Sequence, residues 1–488
     1  MIRRLRSLLS LVLVGLSLLL LAAPARAADE GAGEGPSYVL ERIAVRGNAK
    51  TLREVIVREV RIRPGEPFSA DDPRLERARY RLLTSGLFHE VEFSLERGSR
   101  RGLAVLVIEV KERNTIVVQD IVIGFSEITP YVSADVAERS VMGSGVQVSA
   151  AAVVAKDQWG YRVRFADYRF LNSDFSLNLE GIYAHARDYF GHDKICFENS
   201  CNGALEGATP NYADYATMRY DRAGVRLGTG YTMLGYNHFY VDYRIEEISA
   251  DVPSSGSHVS FGRRQPIVFG HLLPGHSALS SIILGILRDT RDSLVLSSSG
   301  HRTAFEVELS NEVIGSGYDF SKFTLAHDTY FALGRGHSIK LSLFLGLIMG
   351  EAPFFNQFFV GDFSAFVPSR VLEMNFSHLQ PNLLDTAIVE MRYEDMAFSL
   401  GVEYAIPFYR GQRIVYGVNG FIGLGAFALA SADYLRSDPK GYKNGEVVPV
   451  DLTADIGIRI DTEVGRFTIS LANLFRLIPV IGREAAKP

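Results

Sequence analysis

From Val450 to Ile460, apolar side chains fall on every second residue (Val450, Leu452, Ala454, Ile456, Ile458, Ile460), with Asp451, Thr453, Asp455, Gly457 and Arg459 between them. A period of two predicts a strand with one apolar and one polar face. The alternation recurs in Phe239, Val241, Tyr243 and Ile245 against Tyr240, Asp242, Arg244 and Glu246, and in Phe305, Val307 and Leu309 against Glu306, Glu308 and Ser310. Hydrocarbon does not tolerate charges of both signs along one face, so that face must look into a wet lumen and the apolar face into lipid. The pattern predicts a transmembrane antiparallel β-barrel over residues 114–488, of about 16 strands. Short turns at 141–145, 171–174 and 233–237 alternate with long loops near 191–213, 252–272, 350–395 and 429–446.

The chain begins differently. Arg3, Arg4 and Arg6 precede an apolar run from Leu8 to Ala23 and the small-residue site Ala25-Arg26-Ala27. This reads as a cleaved secretory signal peptide, 1–27, with an uncleaved anchor as the alternative. No later apolar stretch reaches the roughly 18–20 residues of a spanning helix, so only a closed barrel could carry the rest across a membrane. After a linker, 28–37, a small α+β unit occupies 38–113. An alternating strand ends at Gly47-Asn48, and a helix over 52–61 stops at Pro64-Gly65. A second helix starts from Asp71, Asp72 and Pro73 and buries Leu75, Ala78, Leu82 and Leu83; strands follow at 91–96 and 103–111, giving the order β-α-α-β-β.

This unit resembles a polypeptide-transport-associated (POTRA) domain through Gly47-Asn48, Gly65, Phe68, the run Leu82-Leu-Thr-Ser-Gly-Leu-Phe88, and Val91. In the barrel, Leu287-Arg-Asp-Thr-Arg-Asp292 with Ser299-Gly300 resembles the strand-turn-strand signature of the BamA/TamA-type outer-membrane protein assembly and translocation family. Phe165-Ala-Asp-Tyr-Arg-Phe170, Glu403-Tyr-Ala-Ile-Pro407 and Asp455-Ile-Gly-Ile-Arg459 with Asp461-Thr462 and Gly465 resemble further segments in the family's order. The turn residues Arg288, Asp289, Arg291, Asp292 and Gly300 also have a plainer reading, in which they satisfy one another at a turn.

The resemblance implies an outer-membrane barrel with a periplasmic POTRA domain. Its expected partners are outer-membrane lipids and lipopolysaccharide, unfolded outer-membrane or secreted polypeptides, and accessory periplasmic or lipoprotein subunits. The POTRA strand edge Val91, Glu92, Phe93, Ser94, Leu95 and Glu96 is the candidate client-binding element, with a mere spacer as the alternative. The first and last barrel strands are the expected seam at which client strands would be added. A dedicated two-partner-type exporter and a passive structural pore are the alternative functions.

Two segments depart from the family. Its sixth outer loop carries a VRGF-like tetrapeptide whose Arg meets wall acids; here Phe363, Ser364, Ala365 and Phe366 stand in its place, and Gly423 replaces a usual Asp. Glu403 remains as a wall acid, with Arg370 as its expected loop partner. The closing strand runs from Phe467 to Phe475, the fifteenth by count, where bacterial single-chain barrels have even numbers. Either one strand is missed, near 386–393, or the seam is unusual.

The remaining composition excludes more than it adds. A net charge of −5 from 51 basic and 56 acidic residues offers no nucleic-acid footprint. The two cysteines, Cys196 and Cys201, read as a loop disulfide with free thiols as the alternative, since no neighbouring ligands complete a metal site. No catalytic motif, metal site or cofactor loop stands out, so the chain reads as a non-enzyme.

Overall fold

The N-terminal unit runs β1 (Tyr38–Arg46), α1 (Arg53–Val57), β2 (Pro67–Phe68), α2 (Pro73–Thr84), β3 (Phe88–Arg97) and β4 (Leu103–Glu112). The structure, a computed structural model, describes residues 37–125, 129–191, 215–233, 236–252, 257–260, 263–266, 270–293, 296–359, 370–376, 393–411, 414–430 and 450–472. The signal-peptide segment, Cys196, Cys201, Phe363, Ser364, Ala365, Phe366 and Phe475 therefore lie outside the described residues.

The unit's sheet has the order β2-β1-β4-β3, with β1 and β4 parallel. Its core is closed by Leu40, Ile56, Leu75, Ala78, Leu82 and Leu106. Two details differ from expectation. The two-residue β2 pairs with β1, Tyr38 opposite Phe68. The first helix is 5 residues long instead of continuing to 61. Past its end the Glu59 and Val60 amides bond carbonyls three residues back at 3.2 and 3.0 Å, and the Glu59 carboxylate is held by Arg81 and by a barrel arginine.

The second helix starts where its cap residues put it. Asp72 Oδ1 accepts the Arg74 amide at 2.8 Å, with Pro73 in the first turn. Burial pushes the Asp72 carboxyl up, but hydrogen bonds and charge from Arg74 outweigh it and hold the group below the usual range. Its folded value is depressed, so the cap stabilises fully above about pH 4 and is lost as pH falls through that lowered value. Asp72→Ala is expected to cost about 1 kcal/mol at neutral pH, read as faster hydrogen exchange of the α2 amides. Unchanged α2 exchange at neutral pH would count against the cap.

The barrel wall begins with β5 (Ile116–Phe125), β6 (Pro130–Glu138), β7 (Val146–Ala155), β8 (Gln158–Asp167), β9 (Phe175–Gly191), β10 (Tyr215–Met233) and β11 (Asn237–Asp251). A loop hairpin, β12 (Ser257–Ser260) with β13 (Arg263–Pro266), precedes β14 (Gly275–Asp289), β15 (Gly300–Ser310), β16 (Phe320–Gly334) and β17 (His337–Gly350). The next loop contains the short pieces β18 (Phe358–Phe359), β19 (Arg370–Val371), β20 (Met374–Asn375) and β21 (Tyr393–Glu394). The wall resumes with β22 (Met396–Arg410), β23 (Val415–Ala430), β24 (Val450–Thr462) and β25 (Gly465–Ala472).

Burial is inverted relative to a soluble protein. On β24, Ile456 and Ile458 are 43% and 40% exposed while Asp455 is 6% exposed, as a lipid-facing outer surface and a filled polar lumen require. Strands β9 and β10, at 17 and 19 residues, outrun the roughly 9–11 residues a span needs and project beyond the apolar band. Among the described residues no helix is long and apolar enough to cross a membrane.

Among the described residues the wall closes with 15 strands, and the expected sixteenth is not among them. Tyr393, in the segment considered for a missed strand, belongs to β21 and pairs with Phe359 inside the loop rather than in the wall. An odd count of otherwise antiparallel neighbours leaves the first and last strands pointing the same way, so β25 meets β5 in parallel.

Candidate functional site

Three places stand out in the geometry: the docked lower mouth, the filled lumen and the seam. The small domain sits on the short-turn end of the barrel, with contacts spread round the ring. The Leu52 amide donates to the Gly143 carbonyl at 3.0 Å, Arg58 donates to Asn172 at 3.2 Å, His89 stacks on Tyr416 at 5.0 Å, and Arg113 pairs with Asp461 at 3.2 Å. At the centre of one side, Glu59 takes Arg81 of its own domain at 3.1 Å and Arg169 of the β8–β9 turn at 2.6 Å. Arg169 and Arg61 both bind Asp174. Burial pulls the Arg81 guanidinium down to about 10 against the opposing pull of Glu59, so it stays charged at neutral pH.

The family turn signature lies at the same end. Asp289 takes Arg291 through both oxygens, at 2.9 and 2.6 Å, as the plain turn reading expects. Asp292 instead accepts the Ser298 amide at 2.8 Å, and Arg288 lies over Tyr236 at 5.4 Å. Gly300 has φ +94°, and a Cβ there would stand 2.3 Å from the Thr290 carbonyl oxygen, so glycine is required for the strands to close over this turn. The turn has a further task that the sequence did not reveal: the Tyr80 hydroxyl on α2 donates to the Asp289 carbonyl at 2.5 Å.

The candidate edge residues Val91, Glu92, Phe93, Ser94, Leu95 and Glu96 lie on β3, the outer strand of its sheet. Val91 is buried in the core, whereas Glu92, Ser94 and Glu96 are exposed. Glu96 pairs with Arg46 at 2.7 Å. No strand among the described residues covers the outer side of β3.

The loop between β17 and β22 folds into the lumen. Phe354, Phe355, Phe358, Phe359, Met374 and Phe376 are buried among wall residues such as Tyr131, Tyr220 and Ile348. Glu373, at the tip of the β19–β20 hairpin, binds Arg222 of the wall at 2.6 Å. Arg222 is fully buried, binds Glu246 at 2.8 Å and lies over Phe355 at 4.0 Å. Arg244 joins Glu246 at 2.6 Å to Glu308 at 3.2 Å, and Lys322 donates to the Asn356 carbonyl at 2.7 Å. The loop-to-wall contact described here thus has the polarity opposite to the one the resemblance implied: a loop carboxylate sits on a wall guanidinium.

Glu403, for which Arg370 was the expected partner, is held through both oxygens by Arg459 at 2.5 and 2.6 Å. Arg459 also lies over Phe421 at 4.2 Å. The backbone of Arg370 pairs with Asn375, and its side chain is outside the described residues. Gly423 lies between Glu403 and Asp455 in the ladder, so the acid missing from β23 has a neighbour on β24. Of the lumen set, Asp242, Arg244 and Glu246 were legible as inward charges. Arg222, Glu373 and the Glu59–Arg169 contact carried no local signal.

At the seam, one residue pair among the described residues, Gly465 opposite Val118, joins β25 to β5. The Val118 amide donates to the Val464 carbonyl at 2.8 Å. Gly465 has φ +144°, and a Cβ there would stand 2.1 Å from the Val118 carbonyl oxygen. Phe467, from the expected closing strand, lies on β25 opposite Ile460.

Known proteins resemble this chain in sequence and fold. An Omp85 superfamily domain model matches residues 141–365, and the POTRA model, described as a surface antigen variable number repeat, matches 38–113. The chain is 25% identical over 333 residues to the outer membrane protein assembly factor BamA of Nitratidesulfovibrio vulgaris, covering 66% of this chain and 36% of that protein. It is 23% identical over 205 residues to a putative outer membrane protein assembly factor of Treponema pallidum, covering 39% and 24%. The chain therefore spans only about a third or less of these curated relatives. CdiB from Escherichia coli has the same fold, with a TM-score of 0.56 at 11% identity over 89% of this chain and 72% of that one. BamA from Haemophilus ducreyi lacking POTRA domains 1–3 aligns with a TM-score of 0.49 at 14% identity, over 89% and 80%.

A POTRA domain docked beneath a closed barrel defines an outer-membrane barrel of the Omp85 kind. The chain belongs to the Omp85 superfamily, as a BamA/TamA-type member, and lies in the outer membrane with its POTRA domain in the periplasm.

Proposed function

We propose that the protein inserts other polypeptides into the outer membrane, its POTRA domain receiving an extended client along the edge of β3 and the barrel seam templating its strands. The observation that carries this reading is the contrast between two routes. The lumen is filled by the loop carrying Phe354, Phe355 and Glu373, pinned to the wall through Arg222. Among the described residues the seam is joined by a single residue pair. A lateral route therefore asks for one bridge to open, whereas a through-lumen exporter or passive pore must expel a packed and ion-paired plug. Outer-membrane lipid and lipopolysaccharide lie alongside that route, and accessory periplasmic or lipoprotein subunits are further partners in this proposal. Depletion of the protein is expected to lower the levels of other outer-membrane proteins, and planar bilayers containing it are expected to show little steady conductance. Large steady conductance with undiminished levels of every other outer-membrane protein would favour a pore.

A further inference from the structure

On the lipid side of β14 and β17 the wall is apolar over much of its height, with Leu284, Leu341 and Leu345 exposed. Toward the periplasmic end this face turns polar. Arg288 follows Leu284 by four residues and so shares its face. The ladder sets Arg288, Thr303 and His327 in one row across β14, β15 and β16, and sets His301 and Thr329 beside Leu341 in another. All five polar residues are half-buried. Ionisable side chains on a lipid-facing wall are costly and ask for a partner.

The histidines have theirs. His327 meets Thr303 through Nδ1 at 2.8 Å and Thr329 through Nε2 at 2.7 Å, and His301 meets Thr290 through Nδ1 at 3.1 Å. Arg288 is different. Its Nε is buried with no hydrogen-bond partner among the described residues, and its guanidinium lies over the Tyr236 ring at 5.4 Å. The adjacent carboxylate, Asp289, is taken through both oxygens by Arg291. Residues 234–235 and 294–295, which lie outside the described residues, have no acidic side chain to offer.

We propose that Arg288 and His301 hold the phosphate of a glycerophospholipid from the inner leaflet, at a site on the outside of the barrel near its periplasmic rim. One guanidinium matches the single charge of a phosphodiester and presents forked N–H groups to two of its oxygens. His301 is the diagonal neighbour of Arg288, with backbones roughly 7–8 Å apart, a gap that a phosphate between their side chains spans. The His301 Nδ1 is turned to Thr290, which leaves Nε2 for a phosphate oxygen. Above the headgroup, Leu284 offers apolar wall to an acyl chain. The site lies across the ring from the β25–β5 seam, so it does not depend on which polypeptides the barrel handles.

Native mass spectrometry of the full chain from dodecyl maltoside micelles tests this, with phosphatidylglycerol, diacylglycerol of the same chains and inorganic phosphate as probes. The wild type is expected to retain phosphatidylglycerol and not diacylglycerol. Arg288→Gln is expected to weaken that binding roughly tenfold or more, whereas Arg335→Gln, at the exposed β16–β17 turn, is expected to leave it unchanged. A second measurement needs no variant: phosphatidylglycerol with a diazirine beside its phosphate is expected to label the wild type within residues 284–303. Equal binding by the two variants, equal retention of diacylglycerol, or label spread evenly round the wall overturns the proposal. Displacement of the lipid by an equal concentration of inorganic phosphate overturns the lipid assignment and marks a site for the free anion.

Discussion

Replacing Arg222 by alanine is expected to release the lumen plug and to destabilise the barrel by about 3–5 kcal/mol, the usual range for breaking a buried ion pair. Arg222 is fully buried between Glu246 and the loop residue Glu373, with Phe355 stacked on its guanidinium. Its loss leaves Arg244 to serve Glu246, Glu308 and Glu373, which it approaches at 2.6, 3.2 and 3.9 Å. The checks are the temperature at which the folded band is lost in heat-modifiability electrophoresis, which should fall, and single-channel conductance, which should rise. Glu373→Ala separates the two effects. The Glu373 side chain is 48% exposed and removes only the loop's end of the contact, so it should raise conductance while costing roughly 1–3 kcal/mol. An Arg222→Ala barrel with unchanged melting and conductance would show that the ion pair does not hold the plug.

The second large effect is expected at the mouth. Arg169→Ala should weaken docking of the POTRA domain by about 2–4 kcal/mol, since truncating one partner of a buried charge contact at an interface costs that order. The choice of residue matters. Glu59→Ala strips Arg81 of its partner inside the POTRA domain and confounds docking with folding, whereas Arg169→Ala leaves the Glu59–Arg81 pair intact. Freed of the barrel turn, the domain should also lose its Tyr80 contact with the Asp289 carbonyl. A cysteine crosslink between α2 and the β14–β15 turn reads this directly, and its yield should drop in the variant. The more exposed Arg61–Asp174 pair should contribute only the salt-sensitive part. Undiminished crosslinking at low and high salt would mean that docking rests on the remaining contacts.

Much of this architecture could be read in the chain before any coordinates. The alternation at Val450–Ile460 holds in β24 with the faces the charges demand, and Asp72-Pro73 starts α2 where a cap and a first-turn proline should. Both are local signals: a period and a cap depend on neighbours a few residues away. The helix expected over 52–61 covers only Arg53–Val57, and Glu59 beyond its end is held by Arg169, 110 residues on, a contact no local pattern could announce. Glu403 is held by Arg459, two strands away along the ladder, a contact whose reach depends on register and that no local pattern shows.

The sequence by itself determined that this is a membrane barrel preceded by a POTRA domain, and which face of each clear strand meets lipid, because period-two alternation and helix punctuation act over short spans. Only the tertiary structure decided the count of 15 described strands and their parallel closure at Gly465 and Val118. It also decided the pairing of Glu373 with Arg222 and of Tyr80 with Asp289, separated by 151 and 209 residues. Alternation tells a side chain which way to point. Which partner it finds across the lumen, or beneath the mouth, follows from how the wall closes and where the loops and the small domain come to rest.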